Sequence, residues 1–238
     1  MSAGLDVRAF PSQDELAPVL ATAVARDLVR AIDRRGRGVL AVSGGSTPVP
    51  FFECLKAHAL DWSRVIVTLV DERWVDEDHR DSNAALVRRH LLQGGARVAQ
   101  FQPLKNAAGS AAEGCPETEA LLRPLCPPDV VVLGMGADGH TASWFPGASN
   151  LAQALDADAA ACCLAITPPG ASHERLTLSL AALAASGHLY LHIAGAEKWR
   201  TLEQALLPGP LAELPVRAVL LRRLAPAPQV FYAVKETL

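Results

Sequence analysis

Several features that would place a protein in a specialised class are missing from this sequence of 238 residues. The 22 Lys and Arg residues nearly balance the 25 Asp and Glu residues, which gives a formal net charge of −3. Such a balance offers no general attraction to nucleic acid or to acidic membranes. Aromatic residues make up only 5 % of the chain, too few to suggest a base-stacking surface. We therefore expect neither nucleic acid nor a membrane as a partner.

The cysteine pattern and the apolar runs exclude further classes. The five cysteines are odd in number and include no C-x-x-C pair, which argues against a disulfide framework and a thiolate zinc site. No H-E-x-x-H motif is present, so we predict no metal site. Residues 1–8 lack the apolar stretch of a signal peptide, and no apolar run is long enough to cross a membrane. These absences predict a cytoplasmic protein.

What the sequence does contain is an alternation of apolar strands and amphipathic helices. Hydrophobic residues make up 50 % of the chain, enough for a sizeable core. The alternation predicts βαβ units around a mostly parallel sheet. No linker divides the chain, so we expect one domain over residues 1–238. The predicted strands are 39–42, 65–70, 129–133, 161–167, 175–178, 188–194 and 229–234, and the predicted helices are 14–35, 48–59, 82–92, 111–123 and 197–207.

The start of the first helix is ambiguous. Ser12 and Glu15 have the spacing of a capping box, but Pro18 conflicts with a helix that begins there. The helix therefore either starts later or is kinked in its first turn.

Three polar or glycine-rich turns directly follow apolar strands, at residues 43–48, 71–83 and 134–141. Open parallel sheets bind ligands beyond the carboxyl ends of their strands. We therefore expect the three turns to gather along one edge of the sheet and to form a site there.

The first turn consists of Ser43, Gly44, Gly45, Ser46, Thr47 and Pro48. Its glycines permit close approach of the backbone, and its hydroxyls and the following helix start supply hydrogen-bond donors. This combination favours a phosphate. The turn lacks the Lys of a nucleoside-triphosphate loop and the third glycine of a dinucleotide loop, so neither cofactor is implied. The alternative is a tight turn before a capped helix.

The second turn begins with residues 71–74, a charged group directly after a buried strand. Arg73 can offer a planar fork to a phosphate or carboxylate. The alternative is a solvated loop with an internal Asp–Arg pair, which is the stronger interpretation for Asp71 and Glu72 taken individually.

The third turn, residues 134–141, presents Asp138 and His140 on a compact loop that is rich in glycine. An Asp two residues before a His can hold one ring nitrogen and leave the other as a base near neutral pH. Nearby backbone N–H groups could stabilise an oxyanion. The alternative is a structural histidine in a glycine turn. His188 and His192 fall in a predicted strand and are interpreted as structural.

Two further cations fall on the predicted ligand edge. Arg175 lies in the strand that follows residues 168–170, and Lys198 starts the helix after the strand at 188–194. Each alone would be interpreted as a surface cation, but a phosphate site needs such side chains.

These motifs resemble the 6-phosphogluconolactonases of the pentose phosphate pathway. The matching stretches occur in family order and span most of the chain. The family belongs to a fold group with glucosamine-6-phosphate deaminases and ribose-5-phosphate isomerases, which implies a Rossmann-like α/β/α sandwich of three layers. The stretches are 40–48, 70–75 with Ser82 and Asn83, 133–147, 174–179 and 193–202.

The resemblance implies hydrolysis of 6-phospho-D-glucono-1,5-lactone to 6-phosphogluconate without a cofactor, by a monomer or homodimer. By motif position, His140 would be the general base and Asp138 its orienting partner. The implied phosphate and sugar site comprises Ser43, Gly44, Gly45, Ser46, Thr47, Arg73, Asn83, Gly136, Arg175 and Lys198.

Two alternatives remain. Glucosamine-6-phosphate deaminases resemble this chain in the phosphate loop and the Asp-Gly-His turn, but then carry an Asn-Glu-Pro-Gly segment whose Glu works with the histidine. Here residues 144–147 contain no carboxylate, which favours the lactonase. A regulator that binds sugar phosphates without catalysis would need a partner-recognition module, and we find none in the sequence.

Overall fold

The computed structural model describes residues 5–221 and 227–235. Ten strands and eight α-helices occur in these two ranges, with short 3-10 helices at Trp62–Arg64, Gly94–Val98 and Arg123–Leu125. The strands are β1 (Asp6–Ser12), β2 (Gly38–Val42), β3 (Val65–Leu69), β4 (Asp71–Arg73), β5 (Gln100–Gln102), β6 (Val130–Leu133), β7 (Cys163–Ile166), β8 (Arg175–Leu178), β9 (His188–Ala194) and β10 (Gln229–Lys235). The helices are α1 (Gln13–Arg35), α2 (Val49–Leu55), α3 (Asn83–His90), α4 (Ala111–Leu122), α5 (Leu151–Ala154), α6 (Leu180–Ala184), α7 (Ala196–Ala205) and α8 (Arg217–Leu220).

Seven of the described strands form a parallel sheet in the order β1-β10-β9-β6-β2-β3-β5. Strands β6, β2 and β3 are consecutive in this order and are buried along their whole length. Helix α1 packs against β1, β2 and β10, and α7 packs against β9 and β10. The predicted α/β architecture with a mostly parallel sheet is confirmed.

Helix α1 begins at the capping box despite its internal proline. Ser12 is the N-cap residue, and its hydroxyl accepts a hydrogen bond from the backbone N–H of Glu15. Pro18 lies inside the helix, where its carbonyl oxygen accepts a hydrogen bond from the hydroxyl of Thr22. A later helix start is therefore wrong.

A second sheet, of strands β4, β8 and β7, is antiparallel and was not expected. Strand β4 occupies residues that we interpreted as part of a turn, and β7 and β8 pair with each other instead of joining the large sheet. Val70 connects the two sheets, because its N–H donates to Val42 and its carbonyl oxygen accepts from Leu178. The small sheet therefore starts at the carboxyl end of β3, beside the predicted site.

The two edge strands of the large sheet, β1 and β5, were not predicted from the sequence either. Strand β1 is mostly exposed, and β5 is a three-residue segment with glutamine at both ends. An edge strand pairs on one side only and needs no continuous apolar run.

None of the helices in the described ranges combines the length and apolar character needed to span a membrane.

Candidate active site

The three turns meet, as predicted, at the carboxyl ends of the central strands. They line a pocket of about 270 Å³ together with residues from β8 and α7. Of the predicted site residues, Asp138 alone is not part of the pocket wall, and it lies directly behind His140. The predicted residues that line the pocket are Ser43, Gly44, Gly45, Ser46, Thr47, Arg73, Asn83, Gly136, His140, Arg175 and Lys198.

The loop after β2 offers the pocket a row of backbone donors. The N–H groups of residues 44–47 have no acceptor among the described residues. The hydroxyl of Ser43 accepts a hydrogen bond of 2.9 Å from the N–H of Gly134, which joins this loop to the one after β6. Lys198 donates to the hydroxyl of Thr47 at 3.3 Å and places an ammonium group beside the loop. The loop is thus suited to an anion.

Glu72 anchors the second turn from inside the protein. Its side chain is almost fully buried, and its carboxylate accepts hydrogen bonds from the backbone N–H groups of Arg73, Asn83 and Ala84. Burial raises the pKa of Glu72 to about 7, although these N–H groups act in the opposite direction. Asp71 is also buried. The interpretation of this segment as a solvated loop is therefore wrong, because the backbone at the start of α3 provides the partners that water would otherwise supply.

Arg73 and Arg175 are direct register partners in the antiparallel pair β4–β8. Arg73 donates to the backbone oxygen of Asp81 at 2.6 Å, and Arg175 lies 3.8 Å from the carboxylate of Asp71. Burial lowers the pKa of Arg175, Asp71 opposes this shift, and the charge of Arg73 adds to it. The Nε atoms of both arginines are buried without a partner in the described structure. The pocket therefore contains two guanidinium groups with unused donors.

Asp138 holds the ring of His140. Its Oδ1 atom lies 2.5 Å from Nδ1 of His140 and also accepts the backbone N–H of that residue at 3.1 Å. Burial alone would raise the pKa of Asp138, but the hydrogen bonds and charge of His140 outweigh it and lower that pKa. A Cβ atom on Gly136 would lie 2.2 Å from the His140 ring, so only glycine fits against this pair. The arrangement leaves Nε2 of His140 for chemistry.

Phe145 covers the His140 ring on one side. The two rings are stacked, with centroids 4.0 Å apart and an angle of 24° between their planes. The guanidinium of Arg175 lies 5.1 Å from the centroid of Phe145. A column of Arg175, Phe145 and His140 therefore limits how the imidazole can turn.

Sequence reasoning missed two residues that line the pocket, Asp71 and His192, and one that packs on His140, Phe145. Asp71 lines the pocket and accepts a hydrogen bond from the hydroxyl of Ser143 at 2.6 Å. His192, interpreted as structural, is buried and bonded to Gln13, yet it also lines the pocket. Burial, with a smaller effect from Lys198, lowers its pKa to about 3, so the ring is neutral. Phe145 falls in the segment noted only for lacking a carboxylate. Nothing in the sequence pattern distinguishes His192 and Phe145 from core residues, and Asp71 was noted only as part of a charged segment.

Comparison with known proteins shows the family to which the chain is similar. The family described as "Glucosamine-6-phosphate isomerases/6-phosphogluconolactonase" matches residues 11–226. A protein of Mesorhizobium japonicum named 6-phosphogluconolactonase is 48 % identical over 227 residues, which cover 94 % of both chains. One of the same name from Pseudomonas aeruginosa is 46 % identical over 221 residues, covering 92 % of this chain and 93 % of that protein.

Solved structures give the same result. A 6-phosphogluconolactonase from Shewanella baltica superimposes with a TM-score of 0.93 at 42 % identity, covering 98 % of this chain and 99 % of that one. A monomeric glucosamine-6-phosphate deaminase gives a TM-score of 0.76 at 18 % identity, covering 96 % of this chain and 97 % of that one. The second likeness shows a common fold.

Proposed function

The chain belongs to the family of glucosamine-6-phosphate isomerases and 6-phosphogluconolactonases, and we propose that it hydrolyses 6-phospho-D-glucono-1,5-lactone with His140 as the general base. It is an enzyme of the 6-phosphogluconolactonase branch, since four relatives that are 41–48 % identical carry that name. The product would be 6-phosphogluconate, in the oxidative pentose phosphate pathway.

The observation that carries this proposal is the hydrogen-bonded pair of Asp138 and His140 at the edge of a cationic pocket. The pair supplies a base, while the loop after β2, the two arginines and Lys198 supply binding groups for a phosphate. A lactone that carries a phosphate needs both.

In the proposed reaction, Nε2 of His140 takes a proton from a water molecule as its oxygen attacks the lactone carbonyl carbon. Asp138, bonded to Nδ1, holds the ring and stabilises the imidazolium that forms. The chain has no G-x-S-x-G motif, so the sequence does not indicate a serine nucleophile. An ester carbonyl is electrophilic enough for direct attack by an activated water.

The tetrahedral intermediate then collapses. Backbone N–H groups of the loops or the guanidinium of Arg73 stabilise its oxyanion. The bond between the carbonyl carbon and the ring oxygen breaks, and His140 returns its proton to that oxygen, which becomes a hydroxyl. The carboxylic acid formed loses a proton to solvent. No electrons are transferred, and the reaction needs no cofactor.

Phosphate is the proposed binding group. The N–H groups of residues 44–47, which have no acceptor in the described part of the chain, lie in the pocket lining with Lys198, and Arg73 and Arg175 reach it from β4 and β8. Charge-assisted hydrogen bonds to a phosphate are about twice as strong as neutral ones. These groups therefore favour a phosphorylated sugar lactone over the unphosphorylated one.

The deaminase alternative fits the pocket less well. Phe145, which is stacked on His140, occupies the segment in which deaminases carry the glutamate that works with the histidine. Ring opening and release of an amine need that additional acid–base group, whereas lactone hydrolysis does not. A non-catalytic regulator would have no use for the Asp138–His140 pair.

The decisive experiment measures lactone hydrolysis with subtraction of the spontaneous rate, beside glucosamine-6-phosphate deamination, in wild type and His140→Ala. General-base catalysis contributes about 10²–10⁴-fold, so His140→Ala should lower kcat by that factor with little change in phosphate affinity. Asp138→Asn should lower kcat as well, because an amide stabilises an imidazolium poorly.

His58→Ala is the matched control, because this histidine lies outside the pocket lining and should leave kcat unchanged. Deamination faster than lactone hydrolysis, full activity of His140→Ala, or a trapped acyl-enzyme would each contradict the proposal.

A further inference from the structure

Two histidines and an aspartate converge outside the pocket lining. Nδ1 of His79 lies 3.8 Å, and Nε2 of His173 lies 3.5 Å, from the same oxygen of Asp81, Oδ2. Ligand atoms from all three residues lie within 4.8 Å of one another. Within residues 5–221 and 227–235, no other group of three His, Cys, Asp or Glu side chains brings its donor atoms together in this way.

We propose that His79, Asp81 and His173 bind a divalent first-row transition-metal ion, with Zn²⁺ as the representative. Donors that sit 2.0–2.2 Å from a tetrahedral Zn²⁺ lie roughly 3.4 Å from one another. The separations of 3.5 and 3.8 Å are close to this value, so small rotations of the side chains complete the site. Imidazole nitrogens with one carboxylate suit Zn²⁺, whereas Mg²⁺ and Ca²⁺ prefer oxygen ligands.

The hydrogen bonding of His79 agrees with metal binding. Its Nδ1 atom accepts a hydrogen bond of 3.1 Å from the backbone N–H of Asp81, so this nitrogen carries a lone pair and no proton. A metal ion would take that lone pair in place of the N–H. The ring of His173 packs edge-on against His79, with centroids 5.2 Å apart, and both rings stay beside the carboxylate.

The cluster is reachable from solvent. The side chains of His79 and Asp81 are 41 % exposed, and that of His173 is 26 % exposed. Three protein ligands leave one position of a tetrahedral ion for water. An ion can thus enter from solution without opening the fold.

The metal would join two segments that carry the pocket arginines. His79 and Asp81 lie between β4 and α3, and His173 lies two residues before Arg175. Arg73 donates to the backbone oxygen of Asp81. No metal motif is visible in the sequence because the donors come from two distant segments, which the small antiparallel sheet brings together. Neither Asp138 nor His140 takes part, so this proposal is independent of the proposed reaction.

The test is titration of metal-free protein with ZnCl₂ by calorimetry, combined with thermal unfolding. We expect one ion per chain and, at a free Zn²⁺ concentration about 100 times Kd, a Tm that is higher by about 5–10 °C. His79→Ala and His173→Ala, from different segments, should each weaken binding by at least about 100-fold. His58→Ala is the matched control and should bind as wild type does.

Co²⁺ binding separates this cluster from the cysteines, because thiolate ligands give an intense charge-transfer band that imidazole and carboxylate ligands lack. We expect the weaker d–d bands of cobalt without that band. If an alanine variant fails to fold by circular dichroism, Asp81→Asn tests the same site with a side chain of the same shape. Absence of saturable Zn²⁺ binding, binding unchanged in the cluster variants, or a thiolate band would overturn the proposal.

Discussion

Gly44 packs against the side-chain amide of Asn83 so closely that a Cβ atom at position 44 would lie 1.8 Å from Oδ1 of that amide. Asn83 is itself fixed, because its amide nitrogen donates to the backbone oxygen of Asp71 at 2.9 Å and its own N–H donates to Glu72. The loop after β2 and the start of α3 therefore determine each other's position.

This contact predicts the effect of Gly44→Ala. The added methyl group must displace a buried amide, and overpacking of this kind typically costs about 1–3 kcal/mol of stability. We expect a lower free energy of unfolding and a higher KM for the phosphorylated lactone. Gly95→Ala is the control, because that glycine is exposed and has no atom within 4 Å of an added Cβ. Equal effects of the two substitutions on both quantities would contradict the packing argument.

The buried carboxyl group of Glu72 predicts a pH-dependent stability. Its pKa is raised to about 7 from an ordinary 4.5, so the folded state holds the proton more tightly than the unfolded state does. The stabilisation is complete below pH 4.5 and is lost as the pH rises to about 7. At about 1.36 kcal/mol per pH unit, the loss is about 3 kcal/mol.

Glu72→Gln removes this titration. We therefore expect the difference in unfolding free energy, wild type minus variant, to decrease between pH 4.5 and 7 in chemical denaturation experiments. Glu117→Gln, which removes a carboxyl group on the exposed face of α4, is the control. A constant difference for Glu72→Gln would show that the buried carboxyl group is not protonated in this range.

Lys198 should recognise phosphate specifically. Loss of one charged contact to phosphate costs about 1.5–3 kcal/mol, so Lys198→Ala should raise KM for the phosphorylated lactone about 10- to 100-fold. Hydrolysis of gluconolactone without phosphate should change little. Arg200→Ala, an exposed cation on the same helix and outside the pocket lining, serves as the control. An equal loss with both substrates would assign Lys198 to the sugar or the oxyanion instead.

The stacking of Phe145 on His140 predicts a loss of orientation in Phe145→Leu. Aromatic pairs contribute about 0.5–1.5 kcal/mol beyond their burial, so we expect kcat to fall by about 2- to 10-fold while Tm changes little. Phe10→Leu removes a stacked ring from Phe231, outside the pocket lining, and should leave kcat unchanged. Wild-type kcat in Phe145→Leu would show that the ring does not position the histidine.

The sequence predicts the middle of the large sheet well, because a strand covered on both faces is largely apolar, as β3 and β6 are. The site was found for a similar reason: turns after parallel strands gather at one edge. Strands β4 and β1 lack such an apolar pattern. Strand β4 consists of three charged residues, and its burial depends on partners from α3 and β8 that only the folded chain supplies. Strand β1 lies at an edge and buries little.

Sequence patterns do not predict side-chain contacts between residues that are far apart in the chain. His140 and Asp138 are two residues apart, so local spacing identifies them. Asp81 and His173, by contrast, meet only because β4 pairs with β8, and Phe145 reaches His140 through the turn that follows it. Both contacts depend on the tertiary structure, which local spacing in the sequence does not determine.

The pairing of Arg73 with Arg175 affects the stability of the small antiparallel sheet. The guanidinium groups of Arg73 and Arg175 repel each other, because the two residues are register partners. This repulsion destabilises the pairing of β4 with β8, and it contributes to the lowered pKa of Arg175. A phosphate dianion between them would act as a counterion to both strands and would hold them together. At concentrations well above its Kd, a ligand with such a phosphate should raise the resistance of the small sheet to heat and proteolysis.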